Sequence, residues 1–192
     1  MCHRVKVPGA GGKGGASRTY AVDRDAAKHY IKAAVDTPSV TKFLMISYIG
    51  SRRGKAPWWS SDEWKAAQHA NTSVLPDYFK AKVDADEYLA ALARKRNAKD
   101  DSFQAINLRP GTLLDDSSTG KVLLGKTSSR GKVTRADVAS VAALLLEKND
   151  RSRWIDLLNG DTAIDAAVER VIRDEIDCIE GEDLERIDAL AN

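Results

Sequence analysis

The segment from Leu75 to Leu92, LPDYFKAKVDADEYLAAL, lies between two apolar runs, and that arrangement constrains the chain more than any other feature. Tyr78, Lys82, Ala85 and Leu89, with Ala81, Tyr88 and Leu92 beside them, follow the spacing of a helix that packs one stripe against a sheet. Phe43 to Ile49 is apolar at successive residues, as a strand covered on both faces is. Phe103 to Leu108 is a second such run and leads directly into Arg109, Pro110 and Gly111. Strand, helix, strand in this order predicts two adjacent parallel strands joined by a crossover. The expected fold is α/β, a parallel sheet with helices on its faces. Ser47 and Pro110 then fall near the C-terminal strand ends, where open α/β sheets bind ligands.

The rest of the chain supplies units that suit this sheet. Asp23 to Val35 predicts a helix with Ala26, Ala27, Tyr30, Ile31 and Ala34 on one side, and Asp23 placed to favour its N-terminus. Gly50 to Val74 carries Trp58, Trp59 and Trp64, and reads either as a loop pinned by buried indoles or as a lid over a substrate. A polar turn from Asp115 to Gly120 precedes a short apolar arm, Lys121 to Gly125. Thr134 with Asp137 resembles a helix cap, followed by a buried face of Val138, Val141, Ala142, Leu145 and Leu146. Trp154 to Leu158 predicts a short strand, Asn159-Gly160 a turn, and Thr162 to Ile172 the last core helix. Arg173 to Asn192 is expected to be a helical, solvated acidic tail.

Composition removes several classes of function. At 192 residues the chain suits one domain. It has no apolar stretch near the ~20 residues of a membrane span and no signal-peptide core, so a cytoplasmic location without membrane contact is expected. Cys2 and Cys178 lie far apart, and His3, His29 and His69 lack companions at ligand spacing, which supports neither a disulfide framework nor a metal site. Residues 1 to 60 carry eleven Lys/Arg against three Asp/Glu, and residues 161 to 192 three against eleven. No aromatic platform is interleaved with the basic residues, so no nucleic-acid partner is expected. Gly9-x-Gly11-x-x-Gly14 matches a dinucleotide-binding pattern, but the preceding HRVKVP alternates valine with charge and places Pro8 where a central strand needs a donor. Lys13 is followed by Gly14, which excludes a Walker loop. A flexible loop is the expected reading.

Tyr78-x-x-x-Lys82, Ser47, Arg109-Pro110-Gly111 and the run Thr134-Arg-Ala-Asp-Val-Ala together resemble the atypical short-chain dehydrogenase/reductases, in the NAD(P)-binding, NmrA-like and flavin reductase-like branch. The resemblance covers roughly Thr19 to Ile172. It implies a partial Rossmann-like domain over residues 19 to 172, a Gly-rich N-terminal segment over 1 to 18 and the acidic tail over 173 to 192. It also implies that Tyr20-Ala21-Val22-Asp23 opens the helix after the family's fourth strand, with the earlier strand-helix units and the glycine fingerprint missing. By the same resemblance, Tyr78 exchanges a proton with a small carbonyl or alcohol substrate, Lys82 favours the phenolate and reaches the cofactor ribose, and Ser47 holds the substrate oxygen. Pro110, Gly111 and Thr112 line the nicotinamide side of NADP or NAD. The alternative is a non-catalytic remnant or interaction module that binds no cofactor. Without the missing units, Phe43 to Ile46 is expected to be uncovered on one side, which favours self-association through an exposed sheet edge and weak cofactor affinity.

Overall fold

The computed structural model describes the backbone of Arg4–Lys6 and residues 14 to 191. The first described element is β1 (Arg4–Lys6). The helix α1 follows as one continuous rod, Gly15–Thr19, a π-helical stretch Tyr20–Ala26, and Ala27–Asp36. Next come β2 (Lys42–Ile46) and α2, which runs Ser61–His69 and on through the π-helical Ala70–Val74. A reciprocal capping box between Ser60 and Glu63 starts α2. The long helix α3 is Pro76–Asp100. Proline in its first turn forgoes no hydrogen bond, and Asp101 ends it in the left-handed conformation at φ 46°. The strands β3 (Gln104–Pro110), β4 (Thr112–Leu114), β5 (Lys121–Leu124) and β6 (Lys132–Thr134) precede α4 (Arg135–Glu147). The remaining elements are β7 (Arg153–Asn159), β8 (Thr162–Ala163), α5 (Ile164–Arg173) and α6 (Leu184–Ala189).

Six strands form one sheet in the order β1-β2-β3-β7-β5-β8. The first four are parallel, with Phe43 opposite Ala105 and Ile46 opposite Leu108, so the two apolar runs are the adjacent parallel strands their patterns predict. β5 and β8 add antiparallel pairs at the far side, and β4 with β6 forms a separate parallel pair. HRVKVP was expected not to supply a strand, yet Arg4–Lys6 pairs in parallel with Lys42–Leu44. A short parallel edge needs no alternating apolar face if its backbone finds a partner. Most of the Gly9-x-Gly11-x-x-Gly14 pattern lies outside the described residues; Gly14 itself precedes α1 at φ 93°.

Both faces of β2 are covered, which corrects the expectation that one side lies bare. Phe43 and Met45 pack with Ala27, Ile31 and Ala34 of α1 and with Ala85 and Leu89 of α3. Leu44 turns to the other face and joins Ile106, Leu108, Val138, Val141 and Leu145. The cover comes from α4, which the crossover after β6 lays over that face.

The two oppositely charged ends meet. The acidic segment is not one solvated helix: Cys178 and Ile187 are fully buried, and past the end of α5 only Leu184–Ala189 is helical among the described residues. The Glu182 carboxylate packs 3.5 Å from Arg52 Nε with both side chains hidden from water, and Arg94 pairs with Asp188. Cys178 N–H donates to Trp154 O, which ties the segment to β7. The tryptophan segment takes the pinned form: Trp58 and Trp59 both donate their indole N–H groups to Thr127 O, at 2.9 and 2.8 Å.

Candidate active site

β2 and β3 end side by side. Pairing continues past β2, with Ser47 N–H donating to Leu108 O and Ile49 N–H to Pro110 O. Just beyond the strand ends a cleft of about 660 Å³ opens, lined by Ser47, Tyr48, Tyr78, Pro110, Gly111 and Thr112 among others. Its size falls in the range of small-molecule sites. Five of the six residues singled out from the sequence therefore share one cavity. The sixth, Lys82, does not line it. Its ammonium is buried behind β2, donates to Ile46 O at 2.7 Å and sits 4.0 Å from Asp23 Oδ1.

Asp23 is consequently not an N-terminal helix residue. The rod α1 begins at Gly15, so Asp23 falls inside it, in the π-helical stretch, and is 2% exposed. A local π-turn of this kind resets which side chains face inward.

Tyr78 lies on the first turn of α3 with its ring 5.1 Å from that of Tyr48, whose hydroxyl donates to Asn71 Oδ1 at 2.8 Å. Burial pushes the Tyr78 phenol well above its ordinary range, and the negative charges of Asp23 and Asp86 push it further. The lowering expected from Lys82 is not among the influences on this phenol; its ammonium donates to Ile46 O instead. Tyr78 is held as a neutral phenol, a proton donor and a poor base.

Asp86 was not singled out, although it follows Lys82 at the same four-residue spacing that linked Tyr78 to Lys82. Fully buried, it accepts from Ser47 Oγ at 2.5 Å and Ser51 Oγ at 2.6 Å through one oxygen, while Oδ1 has no hydrogen-bond partner among the described residues. A serine has one proton to give. With that proton directed at Asp86, Ser47 offers lone pairs to the cleft and acts there as an acceptor.

Gly111 is small for an internal reason. A Cβ at this position would lie 2.5 Å from Gly131 O and 2.5 Å from Leu158 Cδ2. The loop before β6 is thereby seated directly on the end of β3, with Thr112 N–H donating to Gly131 O at 2.9 Å. Gly111→Ala is expected to destabilise the fold by about 1–3 kcal/mol through overpacking against backbone. Urea unfolding would check this, and an unchanged midpoint would mean that the loop yields freely.

A parallel sheet flanked by helices, with a ligand-sized cleft at its C-terminal edge, is the arrangement of a Rossmann-like nucleotide-binding domain. Residues 4–149 match the family model described as NAD(P)H-binding, and the chain belongs to that family. It is 32% identical over 168 residues to a Bacillus subtilis protein named as the uncharacterized sugar epimerase YhfK, covering 87% of this chain and 67% of that protein. Among solved structures it is similar to a putative NAD-dependent epimerase/dehydratase from Bacillus halodurans, with 28% identity, a TM-score of 0.63 and coverage of 84% and 66%. The oxidoreductase ylbE from Lactococcus lactis shares the fold at 24% identity and a TM-score of 0.61, covering 83% and 65%. The chain thus spans about two thirds of the length of these relatives. Among the described residues, no helix is long and apolar enough to cross a membrane.

Proposed function

We propose that the cleft is the substrate side of a nicotinamide-dependent oxidoreductase site and that Tyr78 donates the proton in reduction of a small carbonyl compound. The observation that carries this reading is the convergence of Tyr78, Ser47 and Pro110 to Thr112 on one cavity at the ends of parallel strands. NADP or NAD, when bound, supplies the hydride. Pro110, Gly111 and Thr112, which line the cleft, would hold its nicotinamide end. Tyr78 keeps its proton at neutral pH and presents it to a developing alkoxide. Ser47, its own proton committed to Asp86, accepts a hydrogen bond from a hydroxyl or amide in the cleft. Lys82 acts as a positioning residue that ties α3 to the end of β2 and contacts neither substrate nor ribose. This replaces the role the resemblance implied for it.

Saturation-transfer NMR of NADPH and NADH with the full chain reads weak binding, and cofactor oxidation with a panel of aldehydes, ketones and quinones reads turnover. Transfer to the nicotinamide protons and carbonyl-dependent oxidation are expected; absence of any nicotinamide contact with both cofactors sinks the reading.

A further inference from the structure

The lining of the cleft is electrostatically one-sided. Arg130, Lys132 and Arg135 all contribute to it, and the lining includes no carboxylate among the described residues. Three cations within six positions repel one another, which folding alone does not favour. Arg135 is also the first residue of the 13-residue helix α4, where the helix dipole is positive and a cation is disfavoured. Its carboxylate neighbour, Asp115 at 3.4 Å, is 88% exposed with Arg135 itself 56% exposed, so the pair is worth little. The side chains of Arg130 and Lys132 have no ion-pair or hydrogen-bond partner among the described residues, whereas Arg53 and Arg186 elsewhere on the surface pair with Asp84 and Glu87.

The backbone that carries these cations is held in place. Lys132 sits opposite Thr112 in the β4–β6 pair. Upstream, Ser128 Oγ donates to Glu63 Oε1 at 2.6 Å, and both indoles of Trp58 and Trp59 grip Thr127 O. The Glu63 carboxylate is occupied by Ser60 N–H and Ser128 and does not reach the lining. The cations are therefore presented to the cavity by a pinned arm.

We infer that Arg130, Lys132 and Arg135 receive an anionic group, carboxylate or phosphate, of the substrate whose carbonyl meets Tyr78. The inference rests on reading the cleft as a redox site. The cofactor's phosphates are the other source of such an anion, and the experiment separates the two.

The full chain, isotopically labelled, is titrated at low ionic strength with malonate and with inorganic phosphate, followed by backbone amide shifts. Shifts are expected in residues 129 to 135 and at Tyr78, weakening as salt is raised. Arg130→Ala and Lys132→Ala, both at exposed positions, should each weaken binding about fivefold, the equivalent of ~1 kcal/mol per charge. The malonate titration is then repeated with NADP⁺ present. Unchanged malonate affinity supports a substrate subsite, and displacement of malonate by NADP⁺ overturns it by assigning the cations to the cofactor. No shifts in residues 129 to 135, or shifts that survive both substitutions, overturn the anion site itself. Malonate binding with no NADP⁺ binding would leave the anion site standing and count against the redox reading alone.

Discussion

Tyr78→Phe is expected to slow carbonyl reduction by about 10²- to 10⁴-fold while leaving affinity for NADPH within about twofold. The substitution removes one oxygen from a ring that lines the cleft and packs 5.1 Å from Tyr48, so shape and stability should be nearly kept. What is lost is the proton. Burial, with Asp23 and Asp86 nearby, raises the phenol's pKa, so the donor form is present at every pH below it. The rate of reduction by the wild-type chain should accordingly show no loss attributable to Tyr78 until pH passes the ordinary tyrosine value of about 10. The reverse reaction needs the phenolate and should be slow at neutral pH. Steady-state rates for both proteins across the pH range check this. Equal rates in the variant would remove Tyr78 as donor and leave it a packing residue.

The strand-helix-strand unit was legible because its signals are local and redundant: two apolar runs of strand length, and a helical stripe ending in Ala85 and Leu89 that does pack on Phe43 and Met45. The cleft residues were legible for a similar reason, since Ser47 follows β2 and Pro110 to Thr112 lie where β3 ends, and strand ends converge in a parallel sheet. Long-range partners were not. Nothing in the spacing of Tyr78 and Lys82 says that the ammonium will find Ile46 O and the neighbourhood of Asp23 on the adjacent helix of the same face. Asp86 was hidden by its type, because an aspartate in a charged helix ordinarily faces water and only the serines of another segment bring it inside. The acidic tail misled in the same way. Its charge pattern describes a solvated face until arginines far upstream, Arg52 and Arg94 among them, are placed opposite it.

Replacing Arg109 by methionine is expected to destabilise the fold by about 3–5 kcal/mol, the largest stability effect foreseen for a single side chain here. Arg109 belongs to the Arg-Pro-Gly run, but its side chain does not enter the cleft. It is fully buried between β3 and β7, stacks 4.6 Å over the Trp154 ring, donates to Ile49 O at 2.8 Å, and places Nε 3.1 Å from Asp156 Oδ1, off the line of a hydrogen bond. Burial pushes Asp156 up to about 6, with Arg109 and then Arg52 pulling it down. Removing Arg109 takes away the larger of those pulls and raises Asp156 further, so the variant keeps this carboxyl protonated at neutral pH. An unfolded aspartate ionises near pH 4. Above that, the folded variant holds a proton that the unfolded chain has released, so its stability must fall as pH rises, more steeply than in the wild type. Urea unfolding at about pH 5 and about pH 8 reads this difference, with the larger loss at the higher pH. The double variant Arg109→Met with Asp156→Leu removes both charges and should recover most of the stability, because a buried pair replaced by apolar groups leaves nothing to desolvate. A single variant as stable as wild type at both pH values would show that Asp156 is already neutral beside Arg109 in the native fold, and that the guanidinium is held by Ile49 O and Trp154 alone.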